Sequence, residues 1–111
     1  MRLRDSLDRS VWRAAPEEKR AAIEAEIRQA VDAALLEVHD YPSLYRAASS
    51  IGDELKRRGF ELQLFDEDGE SLVTLTELRD DRTGMVIELA WDDDEGANAL
   101  VQFGSVANVV P

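Results

Sequence analysis

The chain has 111 residues, 44% of them apolar and 33% charged, with a net charge of −11. That length suits one domain, and that apolar share is too high for a disordered chain. With no cysteine, disulfides, thiolate metal sites and cysteine nucleophiles are all excluded.

Leu3, Leu7, Val11 and Ala14 recur at helical spacing and predict a short amphipathic segment. Pro16 fits the first position of a second helix, where a missing N–H costs nothing, and Glu17 and Glu18 suit its dipole. Ile23, Ile27, Ala30, Val31, Ala34, Leu35 and Val38 continue it as one apolar stripe, until Asp40-Tyr41-Pro42 ends it. His39 then falls at a helix C-terminus, where an imidazolium suits the dipole. In a third helix Leu44, Ala48, Ile51 and Leu55 share one face. Lys56, Arg57 and Arg58 fill its last turn, Gly59 is placed for a left-handed cap, and Gly52 allows close packing of a neighbouring helix.

After Gly59 the apolar period changes from 3.6 to 2. Phe60, Leu62 and Leu64 alternate with polar residues, and Leu72 to Leu78 is apolar on both faces. Met85, Ile87, Leu89 and Trp91 form one face of a third strand, and Ala99, Val101 and Phe103 one face of a fourth. Turn-like links separate them: Asp66-Glu67-Asp68-Gly69, Asp80-Asp81-Arg82-Thr83-Gly84 and Asp92-Asp93-Asp94-Glu95-Gly96. The expected class is α+β, with N-terminal helices packed on one face of a four-stranded antiparallel meander. One domain spans 1–111, helical over about 1–59 and sheet over about 60–104. The tail, 105–111, is either a fifth short strand or a loose end.

Two consequences bear on function. A second helix of about 24 residues would be roughly 36 Å long, and a strand of about seven residues only roughly 23 Å. Its stripe would overhang the sheet, so Ile23, Ile27, Val31 and Leu35 are candidates for a homodimer interface, unless the Leu3–Ala14 segment folds back over them. In a meander, moreover, the first and third links share one end of the sheet. Asp66, Glu67, Asp68 and Glu70 then stand beside Asp92, Asp93, Asp94 and Glu95.

Charge concentrates there. Residues 1–15 carry four Arg and two Asp, whereas residues 60–111 carry thirteen acids and two Arg, net −11. A field of that sign repels nucleic acid and anionic membranes and attracts basic proteins. No apolar run is long enough to span a membrane and no signal peptide precedes the first helix, so a cytoplasmic location is expected.

Chemical motifs are scarce. An EF-hand register on Gly69 puts Leu64 and Leu75 at ligand positions, and one on Gly96 puts Trp91 and Phe103 there, so both fail. His39 is the only histidine, too few for a zinc site without cysteine, and no nucleophile elbow or glycine-rich phosphate loop occurs. Glu88, between Ile87 and Leu89, is the one acid in an apolar setting, and strand alternation points it to solvent. Trp91 reads as core, and Trp12 as a packing or interface residue.

In size and charge the chain is similar to small acidic inhibitors such as bacterial immunity proteins and antitoxins. The expected function is a non-enzymatic module that docks a basic protein through Asp66, Asp68, Asp92, Asp93, Asp94 and Glu95, with no cofactor and no metal ligands. The alternatives are a homo-oligomeric domain built on the long helix and a weak divalent-metal binder.

Overall fold

The computed structural model describes residues 3–66, 68–77 and 84–104. Three helices, α1 (Arg9–Ala14), α2 (Glu17–Leu35) and α3 (Tyr41–Arg57), precede four strands. These are β1 (Gln63–Phe65), β2 (Leu72–Glu77), β3 (Gly84–Asp92) and β4 (Gly96–Gly104). They pair antiparallel in the order β1-β2-β3-β4, the α+β meander expected from the alternation. The link between β2 and β3 and the tail after Gly104 lie outside the described residues.

One face of the sheet carries the core. Leu64, Leu75, Ile87 and Val101 form one cross-strand row, and Val73, Leu89 and Ala99 the next. Against them pack Ile23, Ile27 and Val31 of α2 and Leu44, Ala48, Ile51 and Leu55 of α3. The four α3 residues are wholly buried, as their i, i+4, i+7, i+11 spacing requires. Each of the larger side chains gains roughly 2 kcal/mol over exposure. On the opposite face Thr74 and Glu88 lie between Phe65 and Leu100, which are 47% and 50% exposed. Glu88 is thus on the open side, as alternation predicts.

Helix termini follow local chemistry. The Asp40 carboxylate accepts from the Ser43 amide at 2.9 Å, while Ser43 Oγ accepts from the Asp40 amide at 3.1 Å. This capping box brings Tyr41 into α3 although a residue before proline disfavours the helical region. Gly59 has φ +89° and closes α3 as expected. Gly52 approaches the sheet rather than a helix, for a Cβ there would meet Leu75 Cδ2 at 3.4 Å.

Three expectations need correction. α2 ends at Leu35, not Val38, and His39 lies in the link to α3. Its amide meets Ser43 Oγ at 3.0 Å, and its Nδ1 lies 3.3 Å from the Glu37 carbonyl, just past the end of α2. Helix α1 has only six residues; Leu7 and Trp12 are buried and Val11 is 46% exposed, so the Leu3–Val11–Ala14 stripe does not exist as one helical face. Finally, α2 has 19 residues and β3 and β4 have nine each. Helix and strands then both span about 30 Å, and no overhang remains.

The N-terminal segment accordingly folds back over the core. Trp12 packs against Phe60 and Phe103, ring centroids 5.6 and 5.8 Å away, and its indole N–H donates to Glu24 at 3.1 Å. Arg4 pairs with Glu26 at 2.9 Å. Arg58 gathers the carbonyls of Leu3, Arg4 and Leu7 on its guanidinium while its Nε holds Glu54 at 3.0 Å. Ile23, Ile27 and Val31 are at most 4% exposed within the single chain, and Leu35 packs on the same core. The stripe marked out for a second copy is covered by the chain's own residues.

Candidate docking surface

The links β1–β2 and β3–β4 emerge at the same end of the sheet, as the meander demands. The β2–β3 ladder runs on to that end through a backbone bond, Trp91 N–H to Ser71 carbonyl, at 2.8 Å. Six acids chosen from sequence, Asp66, Asp68, Asp92, Asp93, Asp94 and Glu95, therefore sit on one rim, with Glu70 beside them and all of them exposed. Glu67 lies outside the described residues.

Four of these carboxylates shape the turns that carry them. Asp68 Oδ1 accepts from the amides of Glu70 at 2.9 Å and Ser71 at 3.0 Å, and Oδ2 from the Ser71 hydroxyl. These donors, the Ser71 hydroxyl first, hold the Asp68 carboxyl far below the usual carboxylate range. Asp66 accepts from the Gly69 amide at 2.8 Å and from the Tyr41 hydroxyl. Loss of hydration, then this hydrogen bond and the Asp66 charge, push the Tyr41 phenol well above its ordinary value. Asp92 Oδ1 accepts from the amides of Asp94 at 2.7 Å and Glu95 at 3.2 Å, and Asp93 from the Trp91 indole at 3.0 Å. These are side-chain-closed turns, the reason aspartate is common in such links. The carboxylates of Glu70, Asp94 and Glu95 are left to solvent.

No group of three or more His, Asp or Glu side chains among the described residues is arranged to hold a metal ion. A cleft of about 350 Å³ opens between the end of α2 and α3, where Val38, Ala47 and Ile51 meet Glu37, His39 and Arg46. Ser43 also lines it, but its hydroxyl accepts from the His39 and Asp40 amides and donates to the Asp40 carbonyl. That hydroxyl is committed to the helix cap. Among the described residues no helix is long and apolar enough to cross a membrane.

Sequence reasoning missed one ionic feature. Arg9 Nε donates to Glu77 Oε1 at 2.8 Å, with Glu77 1% and Arg9 8% exposed. The second Glu77 oxygen accepts from the Glu61 amide at 2.6 Å. The available signal was the alternation Val73-Leu75-Glu77, which points Glu77 at the core.

Comparison with known proteins gave no matching family model, no similar curated protein and no similar solved structure.

Proposed function

We propose that the chain is a non-enzymatic protein-binding module, of the immunity-protein or antitoxin kind, that docks a basic partner through the acidic end of its sheet. The supporting observation is that four of the rim carboxylates, gathered at one end of the sheet, are held in place by hydrogen bonds. Asp66, Asp68 and Asp92 are fixed by hydrogen bonds within their own turns, and Asp93 by the Trp91 indole at the end of β3. A partner docking there need not order those side chains, and ordering is a main cost of association. Their field steers a basic protein inward and speeds the encounter. The same charge disfavours direct nucleic-acid contact, and the cysteine-free composition suits a reducing cytoplasm.

Asparagine at 92, 93 and 94 removes three charges and keeps the acceptors that close the turn. The triple variant should bind a basic partner with a slower association rate and a weaker salt dependence. Unchanged association would place the docking surface elsewhere.

A further inference from the structure

Strand β4 is an edge strand of nine residues, and Gly96 to Gly104 contains no charge and no proline in a chain that is one-third charged. Long edges are ordinarily blunted by lysine, proline or shortness, and the opposite edge, β1, has only three residues. The ladder fixes which groups of β4 face outward. Trp91 N–H bonds to Ser71, so the backbone groups of alternate residues Leu89, Ile87 and Met85 face β2, and those of Ala90, Glu88 and Val86 face β4. Their partners Asn98, Leu100 and Gln102 face β3, which turns the N–H and C=O groups of Ala97, Ala99, Val101 and Phe103 outward. The Arg28 contact agrees, for its Nε reaches the Val101 carbonyl from outside the ladder at 3.4 Å, a long and weak bond. Its guanidinium sits 5.0 Å over the Phe103 ring. Among the described residues nothing else pairs with that edge.

The edge begins where the acidic turn Asp92–Glu95 ends. We propose that the basic partner adds an extended segment antiparallel to β4, with apolar side chains beside Leu100 and its C-terminal basic residues against Asp93, Asp94 and Glu95. Backbone bonds then supply affinity and the acidic turn supplies direction, the strand-addition mode of recognition. Charge selects this occupant over a second copy of the chain, which would bring another −11 to the same place. The inference rests on the docking reading above and adds the form of the bound segment.

The probe is a synthetic decapeptide of seven alternating Thr and Val residues followed by three Lys, titrated into the full chain while backbone amide resonances are followed. Ala99→Pro is the decisive variant, because proline is tolerated where a strand N–H faces outward and removes only that donor. The expected result is shifts at Ala97, Ala99, Val101 and Phe103 as well as at Asp93 to Glu95, with affinity at least tenfold weaker for Ala99→Pro. The same peptide N-methylated along its backbone should bind the wild type at least tenfold more weakly, a check independent of how the variant folds. Equal binding of both peptides, or shifts confined to the two acidic links, overturns strand addition and leaves rim docking standing. Unchanged binding by the Asp92→Asn, Asp93→Asn, Asp94→Asn variant overturns the rim reading instead. No shift at millimolar peptide, or edge amides already protected in a wild-type dimer, overturns the proposal outright.

Discussion

Arg9 and Glu77, 68 residues apart, form a buried ion pair that ties the N-terminal segment to the inner face of β2. Desolvation makes such a pair a weak net stabiliser, yet removing one partner strands the other. Arg9→Met should cost about 3–5 kcal/mol in urea unfolding, because it leaves the buried Glu77 carboxylate without its cation, while adding Glu77→Leu should recover most of that loss. A single variant as stable as wild type would show that the pair is dispensable.

Ile27 is wholly buried within one chain. Ile27→Asp is therefore expected to unfold the protein, placing an unpaired carboxylate in the core. Circular dichroism checks this. A folded monomer produced from a wild-type oligomer would instead restore the α2 stripe as an interface.

Much of this fold was legible in the residues because burial imposes a period. Leu44, Ala48, Ile51 and Leu55 identified the buried face of α3, and the strand alternations after Gly59 identified the meander. Six-residue α1 is too short for periodicity to set its phase, so Val11, placed on the buried stripe, is 46% exposed, while Trp12 takes the packing role. The stripe past Leu35 misled for another reason: Val38 still packs on the core, but from the link and not from the helix. The acidic rim was readable because topology alone brings the two links together. The inward direction of Glu77 was readable from the Val73-Leu75-Glu77 alternation, but its pairing with Arg9 was not, since that partner lies 68 residues away and local pattern carries no trace of it.

The depressed Asp68 carboxyl makes an acid-side prediction. Its folded-state value lies below the unfolded value of about 3.9, so its contribution is complete above that pH and is lost as pH falls through the folded value. The thermal-midpoint advantage of wild type over Asp68→Asn should be full above about pH 4 and shrink below it. An advantage independent of pH would contradict the Ser71 and backbone contacts as its cause.

Tyr41 predicts the opposite limb. Its phenol is raised above the unfolded value of about 10, so its contribution is complete below that pH and is lost as pH climbs through the folded value. Phenolate absorbance should contain a late-titrating component that Tyr41→Phe abolishes. Retention of that component in the variant would assign it elsewhere.

The measurement closest to the central claim is retention of basic protein by the immobilised chain at low salt, wild type beside the Asp92→Asn, Asp93→Asn, Asp94→Asn variant. Docking through the acidic end of the sheet predicts a basic protein that wild type holds, that a salt step releases and that the variant fails to hold. Equal retention by both, or none by either, would contradict it and leave Asp92 and Asp93 the local hydrogen bonds they make and Asp94 a solvated surface charge.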